Sequence, residues 1–194
     1  MAQPFSPEQR DAIRARLLES ARQHIVSDGV KKTSLDMLTS DAGISKSSFY
    51  KFYDSKEQLF LIIAAEWESQ VISCVQKALE NAAGQSDKER AAAMVCSAFE
   101  TIHQLGICRF LSEDLSDLVK LMPESDAKIH YLSSAHGIFD MLHQSQIHFS
   151  APDEAVLACI QILYLSILHI DQIGLSFFPA LRMLVVGACA ELVV

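Results

Sequence analysis

Residues 29–59, GVKKTSLDMLTSDAGISKSSFYKFYDSKEQL, decide how this chain of 194 residues begins to fold. The Thr-Ser pair at 33–34 is suited to cap a short helix over about residues 35–41. The turn Ala42-Gly43-Ile44 separates it from another short helix, which Ser45 caps and which runs to about residue 52. Two short helices joined by such a turn are typical of a helix-turn-helix, whose second helix lies in the major groove of DNA.

Longer helices are predicted on both sides of this element. Ser6-Pro7 marks the start of a first helix whose apolar residues recur every four positions, and Asp28-Gly29 ends it. Asp54-Ser55 caps a fourth helix, which continues without Gly or Pro to about residue 83. The helix-turn-helix is therefore predicted to have a supporting helix before it and a long helix after it.

The rest of the chain has the same helical periodicity, and convincing period-2 runs typical of strands are missing. Further helices are predicted over about residues 87–105, 108–121, 125–149, 152–173 and 176–194. The sequence thus predicts an all-α fold of about nine helices. It consists of a three-helix helix-turn-helix domain over residues 1–54 and a helical body over residues 55–194.

The second short helix carries side chains that suit contact with DNA. Its hydroxyl groups are short donors that let the backbone approach bases and phosphates. Phe49 and Tyr53, four residues apart, are predicted to pack inward, while Lys46 and Tyr50 point outward. Lys56, at the start of the fourth helix, is predicted to reach the phosphate backbone. The candidate DNA-contact residues are Thr33, Ser34, Ser45, Lys46, Ser47, Ser48, Tyr50, Lys51 and Lys56.

The charge is distributed unevenly along the chain. Residues 1–57 contain nine Lys and Arg against eight Asp and Glu, whereas the remainder contains seven against sixteen. An acidic body is repelled by phosphate, so DNA is predicted to bind the near-neutral N-terminal domain. The alternatives are that individual polar residues are solvated surface groups, or that the two short helices form a hairpin that binds protein.

The composition also bears on compartment and class. The N-terminal residues do not have the pattern of a secretory signal, and five widely spaced Cys without a CxxC pair suit a reducing compartment. The richest apolar stretch, residues 155–170, is too short to span a membrane. The common catalytic and nucleotide-binding motifs are missing. These features predict a cytoplasmic protein that is neither an enzyme nor a membrane protein.

The stretch quoted above resembles the DNA-binding signature of the TetR family, the tetracycline-repressor-like bacterial regulators. The residues that carry the resemblance are Gly29, Thr33, Ser34, Leu38, Ala42, Gly43, Ile44, Ser45, Lys46, Ser48, Phe49, Tyr50, Tyr53, Ser55, Lys56, Glu57 and Leu59. The chain departs from the family at Leu38-Thr39, at Ser47 and at Phe52-Tyr53. The resemblance implies a homodimer that binds a pseudo-palindromic DNA operator and leaves it when a small molecule enters the C-terminal body.

Aromatic, Met and polar side chains of the body are candidates to line an apolar ligand site. They are Trp67, Met94, His103, Phe110, Tyr131, His136, Phe139 and Asp140. Two alternatives use other chemistry. One is a metal site formed by the stripe His136, Asp140 and His143, with His103 or Cys108 opposite. The other is oxidation of Cys108, which precedes Arg109. No cofactor is predicted.

The last two helices carry more apolar surface than one subunit can cover. One stripe of each is predicted to face the core, including Leu184 and Val185 of the C-terminal helix, while the opposite stripe faces a partner subunit. Cys189 is placed on the outer stripe. The candidate dimerisation residues are Leu157, Tyr164, Leu168, Phe178 and Val186. A four-helix interface around a two-fold axis is expected from this pattern.

Overall fold

The structure is a computed structural model that describes residues 5–120, 134–167 and 169–194, without the side chains of residues 134–136 and 171. It divides into two compact units, Met1–Glu66 and Trp67–Val194. The described part is helical, as the sequence predicts, and its β-structure is one isolated bridge between Phe149 and Val193. The two units are described separately below.

The first unit contains the predicted helix-turn-helix. Its helices are α1 (Pro7–Asp28), α2 (Leu35–Ala42), α3 (Lys46–Phe49) and the beginning of α4 (Lys56–Asn81). Helix α3 is shorter than predicted, because residues 50–52 form turns after Phe49 rather than further helix. The predicted boundary at residues 54/55 precedes α4, whereas the first compact unit also includes the first turns of this helix.

Side-chain caps and one glycine define the ends of the first three helices. Ser6, Ser34 and Ser45 are the N-caps of α1, α2 and α3, and each side chain accepts a backbone N–H of the first turn. Gly43 ends α2 in the left-handed conformation, with φ of 66°. A side chain there has room, so conformation rather than space favours glycine at this turn.

A continuous apolar core holds these helices together. It contains one stripe of α1 at four-residue spacing, together with apolar residues of α2, α3 and α4. The fully buried members with large side chains are Leu17, Ile25, Leu38, Phe49, Leu59, Phe60 and Ile63. At the edge of the core, Arg22 of α1 donates to the carboxylate of Glu66 on α4. Helix α1 therefore supports the helix-turn-helix, as the sequence predicts.

The second unit contains the remainder of α4 and the helices that follow it. They are α5 (Asp87–Gln104), a π-helical segment (Phe110–Asp114), α6 (Leu115–Lys120), α7 (Ser134–Gln144), α8 (Asp153–Ile167), α9 (Ile170–Ile173), a 3-10 turn (Gly174–Ser176) and α10 (Phe177–Leu192). Helix α5 packs along α10, and α7 packs against α8. Together they form the core of this unit.

Three of the predicted long helices differ from the observed ones. The helix predicted to reach residue 149 ends at Gln144, because Gln146 has φ of 58° and Phe149 pairs with Val193. The helix predicted over residues 152–173 ends at Ile167, and α9 begins separately at Ile170. Within the helix predicted over residues 108–121, residues 110–114 form a π-helical segment. The apolar periodicity of the sequence does not distinguish this wider turn from an ordinary α-helical turn.

Helix α10 buries one face and exposes the other. Phe177, Leu181, Val185 and Cys189 recur every four residues and are buried. Leu184 was predicted to face the core, but it is 62% exposed, while Cys189 is buried rather than on the outer stripe. The four-residue series defines the buried face, and Leu184 lies three positions after Leu181, at its margin.

Two helical segments have the length and composition of a membrane span, Lys56–Asn81 and Gly174–Leu192. Leu59, Phe60 and Ile63 of the first segment are fully buried in the protein. The second contributes its buried face to the core of the second unit. Length and composition alone are weak evidence for a membrane span, and 33% and 22% of the two apolar windows are buried inside the protein.

A polar network connects α1 to the end of α2. The Nδ1 atom of His24 lies 3.2 Å from the Asp28 carboxylate, and its Nε2 atom lies 2.9 Å from Asp41. The hydroxyl group of Ser20 donates a hydrogen bond of 2.7 Å to Asp41. Hydrogen bonds to Asp28 and Asp41 raise the pKa of His24, and the pKa values of both carboxyls are lowered. When protonated, His24 pairs with Asp28 of its own helix and with Asp41 of α2.

This network makes the stability of the first unit dependent on pH. Because the pKa of His24 is raised on folding, its contribution is fully present below about pH 6.5 and is lost as the pH rises through the folded pKa. Substitution of His24→Gln should lower the free energy of unfolding by about 1 kcal/mol or less near pH 6, and by less near pH 9. Urea unfolding at both pH values measures the difference.

The exposed His148 provides a control for this experiment, since His148→Gln removes an imidazole from the second unit. The control variant should show no such pH-dependent difference from the wild type. An effect of His24→Gln that is the same at both pH values would contradict the charged bridge.

Candidate nucleic-acid interface

Helix α3 has one buried and one exposed side. Phe49 is completely buried, and its ring lies 5.7 Å from that of Tyr53, which is also buried. Tyr50 is 59% exposed and meets the edge of Phe49. The Lys46 side chain is also exposed. The inward and outward sides of this helix are therefore confirmed as the sequence predicts them.

The N-terminus of α3 is organised by three serines. Ser45 Oγ accepts the backbone N–H of Ser48 at 3.2 Å and lies 2.9 Å from the hydroxyl group of Ser47. It also donates to the Ser48 hydroxyl group at 3.0 Å. These contacts hold the three hydroxyl groups together at the start of the helix. Hydroxyl groups retain spare acceptor capacity, so the cluster can still accept or donate bonds to DNA.

Lys56 and Thr33 have structural contacts that the sequence does not reveal. Thr33 is completely buried, and its hydroxyl group donates to the Gly29 carbonyl at 2.8 Å. The Lys56 ammonium group donates to the Thr33 carbonyl at 3.0 Å and lies 5.7 Å from the centre of the Phe60 ring. Lys56 therefore connects the start of α4 to the segment that precedes α2.

An aromatic and cationic cluster supports the turn after α3. The rings of Phe5 and Phe52 lie 5.8 Å apart, and the Arg10 guanidinium group lies 5.1 Å from the centre of Phe52. Lys51 Nζ lies 5.6 Å from the Phe5 ring, and the Lys51 carbonyl accepts a bond from Arg10. Phe52, a departure from the family pattern, thus connects this turn to the beginning of α1.

The candidate DNA-contact residues fall into two groups in the structure. Those from Ser45 to Lys51 lie together on α3 and the turn that follows it. The second group is Ser34, Thr33 and Lys56. Ser34 caps α2, and the Lys56 ammonium group donates to the carbonyl of Thr33, the residue before this cap. The sequence did not single out Asp36, whose carboxylate lies 2.7 Å from Lys46 Nζ. Spacing within one helix does not reveal this pair, because Asp36 lies on α2 and Lys46 lies on α3.

The candidate ligand residues of the second unit are only partly brought together. Trp67 and Phe110 are buried with their rings 5.1 Å apart, and Met94 is also buried. His103 is exposed, and its ring lies 5.0 Å from Phe178. The remaining candidates lie elsewhere or are not described. Phe139 and Asp140 are half-buried on α7, Tyr131 lies outside the described residues, and nothing is described of the His136 side chain.

A small apolar cavity of about 30 Å³ lies between α5, α7, α8 and α10. Its walls include Val95, Leu142, Ile160, Val185 and the two thiols Cys159 and Cys189. None of the candidate ligand residues whose side chains are described lines it. It has room for about two water molecules, whereas sites for organic ligands are roughly ten times larger.

The alternatives based on metal and thiol chemistry gain little from the described residues. Among them, no group of three or more His, Cys, Asp or Glu side chains is arranged to hold a metal ion, but the predicted stripe includes His136, whose side chain is not described. His143 lies 3.7 Å from Asp153 and 4.4 Å from the Phe139 ring. Burial raises the pKa of Cys96 and raises that of Cys189 to about 11, which disfavours a reactive thiolate at both. Cys108 is half-buried.

Helices α8 and α10 expose a group of large apolar side chains. They are Ile162, Leu165, Met183, Leu184 and Val186. Of the candidate dimerisation residues, Val186 belongs to this group, and Leu157, Tyr164 and Phe178 are half-buried. Leu168 lies outside the described residues. Exposed apolar side chains of this size on two neighbouring helices are characteristic of a surface that another molecule covers.

The contact between Lys56 and Thr33 predicts a role in stability in addition to any contact with DNA. Substitution of Lys56→Met should lower the free energy of unfolding of the first unit by about 1 kcal/mol, since a charged donor to a carbonyl is lost. The exposed Lys32 provides the control Lys32→Met. Thermal unfolding of both variants measures the effect, and equal unfolding temperatures would contradict this role.

Comparisons with known proteins agree with this geometry. Residues 17–63 match the sequence profile described as "Bacterial regulatory proteins, tetR family". A search of curated proteins finds no match. A TetR family transcription regulator from Marinobacter aquaeolei VT8 is similar in structure, with a TM-score of 0.68, 18% identity, and coverage of 97% of this chain and 99% of that one.

Two further solved structures have the same fold over nearly their whole length. A TetR-family regulator from Streptomyces coelicolor has a TM-score of 0.67 and 16% identity, with 97% of this chain and 96% of that chain covered. The ketosteroid regulator KstR2 of Mycobacterium tuberculosis has a TM-score of 0.66 and 15% identity, with coverage of 99% and 97%. Residues 17–63 therefore match the TetR-family sequence profile, and the chain as a whole has the same fold as these TetR-family regulators.

Proposed function

We propose that this regulator is a cytoplasmic homodimeric repressor that binds a pseudo-palindromic operator and leaves it when a small molecule binds the second unit. The observation that carries the proposal is the exposed side of α3, where Lys46 and Tyr50 project from a helix that buried Phe49 anchors. A short helix with this arrangement presents donors to base edges, while its buried side fixes their position. The protein acts by binding rather than by catalysis.

The DNA partner is inferred from the position of the charges. Residues 1–57 are nearly neutral and carry the exposed Lys46 and Lys51, whereas the rest of the chain has nine more acidic than basic residues. The acidic remainder of the chain repels phosphate, whereas the first unit offers it local positive charge at these two lysines. Two such units in a dimer place their recognition helices on one face of the duplex, at a spacing of about 34–36 Å or a multiple of it.

Selection of bound fragments from random duplexes should yield an inverted repeat with this spacing. Substitution of Tyr50→Phe should weaken binding to all sequences, because the hydroxyl group is lost as a donor to phosphate. Substitution of Ser47→Ala should instead change base preference, since Ser47 lies at the start of the exposed side. The selection experiment is repeated with each variant.

Recovery of no enriched sequence by the wild type at moderate salt would contradict operator binding. A Ser47→Ala variant that selects the wild-type sequence would contradict the role of Ser47.

The homodimer is inferred from the apolar face of α8 and α10. Ile162 is 66% exposed and Met183 is 77% exposed, and the charged residues of α10 are Arg182 and Glu191. A second copy placed by a two-fold axis covers both helices with the same helices of its own, and so buries this face without a new partner. Each DNA-binding unit alone reads one half-site, so operator affinity depends on this contact.

Substitution of Leu165→Glu should convert the dimer to monomers that remain helical, because the side chain is 57% exposed and the core does not depend on it. Such monomers should bind the operator far more weakly than the wild type. Sedimentation measures the mass, and circular dichroism measures the helix content. Ile62→Glu, a change of an exposed apolar residue of α4, is the control and should stay dimeric.

A wild-type monomer at micromolar concentration would contradict the dimer. A Leu165→Glu protein with wild-type mass would show that α8 does not contribute to it.

The effector is proposed to be a mainly apolar molecule that binds near Trp67 and Phe110. Both rings are buried in the second unit with their centroids 5.1 Å apart, and Met94, a flexible apolar side chain, is buried in the same unit. Helix α4 begins in the first unit and carries Trp67 in the second, so a displacement of this helix affects both. A coupling of about 1 to 3 kcal/mol changes operator affinity roughly 5- to 150-fold.

Ligands from a panel of steroids, fatty acids and aromatic acids should therefore change Trp67 fluorescence and operator affinity together. Titration of the protein with each compound, with and without operator, measures both quantities. Because linkage is reciprocal, bound operator should lower the affinity of the protein for the ligand by the same factor. Compounds that change the emission of Trp67 but never the operator affinity would contradict release by an effector.

A further inference from the structure

An ion pair lies across the two short helices of the helix-turn-helix. The Lys46 ammonium group, at the first residue of α3, lies 2.7 Å from a carboxylate oxygen of Asp36, in the first turn of α2. The side chains are 54% and 74% exposed, respectively. The pair is therefore on the surface of the unit, and its acidic member stands beside the helix proposed to enter the major groove.

The charges of this pair act in opposite directions on DNA. A carboxylate and a phosphate offer the same kind of anionic oxygen to an ammonium group. Lys46 must therefore leave Asp36 or share its donors before it can neutralise a phosphate. The released carboxylate then stands close to the polyanion or binds a cation from solution. Both consequences reduce the free energy that Lys46 contributes to binding.

The other Lys residues of this surface are held differently. Lys56 donates to a backbone carbonyl and lies 3.9 Å from the carboxylate of Glu57, the next residue of α4, while Lys51 lies over the Phe5 ring. In these contacts neither side chain meets an anion from another helix. Among the described contacts of the candidate Lys residues, the Asp36 pair is thus the one in which an anion from the neighbouring short helix competes directly with phosphate.

We propose that Asp36 is an internal competitor of DNA phosphate for Lys46, and that it limits the affinity of the recognition helix for DNA of any sequence. This inference rests on the proposed DNA-binding function. Asp36 acts through Lys46, so it is a positioning residue rather than a contact residue. Such a competitor leaves discrimination between operators to the base contacts, because it lowers specific and non-specific binding alike.

The test compares wild type, Asp36→Asn, Lys46→Met and the double variant on one operator duplex and one unrelated duplex. Fluorescence anisotropy measures the affinities from about 50 to 200 mM salt, a range that keeps weak binding measurable. Asp117 of α6 pairs with Lys120 at the same distance of 2.7 Å, so Asp117→Asn is a control that removes an equivalent ion pair from the second unit. Thermal unfolding of each variant checks that the first unit is intact.

Asp36→Asn should bind both duplexes about 2- to 5-fold more tightly than the wild type, the range for an exposed ion pair. The slope of log affinity against log salt should become steeper by up to about 0.9, because Lys46 then releases a full counterion. The gain should disappear in the Lys46→Met background. Asp117→Asn should have wild-type affinity.

Three results would overturn the proposal. Unchanged affinity of Asp36→Asn shows that the pair does not compete with phosphate. An equal gain with and without Lys46 shows that Asp36 only repels DNA. Weaker binding of Asp36→Asn to the operator alone, with a changed base preference, shows that the carboxylate reads a base. Failure of the wild type to bind either duplex contradicts the proposed function itself, whereas these three results leave it intact.

Discussion

Phe49 is fully buried, although the helix that carries it is only four residues long. Isolated helices of this length are not stable in water, because the few hydrogen bonds do not compensate for the loss of conformational entropy. Burial of Phe49 and its contact with Tyr53 therefore hold α3 in place. The position of each outward side chain depends on this anchor.

Contacts from three other segments fix the surroundings of this helix. Ser45 organises its N-terminus, the Phe5–Phe52 contact supports the turn that follows, and Lys56 connects α4 to the segment before α2. Each contact uses a polar or aromatic side chain at the edge of the apolar core. A surface held in this way loses little further conformational entropy when it binds a partner.

The fold and the anchor could be predicted from sequence because they depend on local patterns. The caps Ser6, Ser34 and Ser45 and the turn at Gly43 have direct sequence signals, and Phe49 follows from helical spacing. The end of α7 could not be predicted, because the bridge between Phe149 and Val193 joins residues far apart in sequence.

The contacts of the candidate site show the same limit. Residue types and spacing placed Lys46 and Tyr50 on the exposed side of α3, but they did not reveal that Lys46 pairs with Asp36 or that Lys56 binds the Thr33 carbonyl. These partners lie on other elements, and their distances depend on how the helices pack. The burial of Thr33 could not be predicted either, because a threonine before a helix N-cap can be buried or exposed to solvent.

Amide hydrogen exchange of the free protein tests most directly whether tertiary contacts hold α3. The amides of Phe49, Phe52 and Tyr53 donate to backbone carbonyls at 3.1, 2.8 and 3.2 Å. If the buried anchor holds the segment, these amides should exchange as slowly as those in the middle of α1 and α2, through opening of the whole first unit. Exchange near the rate of an unstructured peptide, while α1 stays protected, would contradict this account.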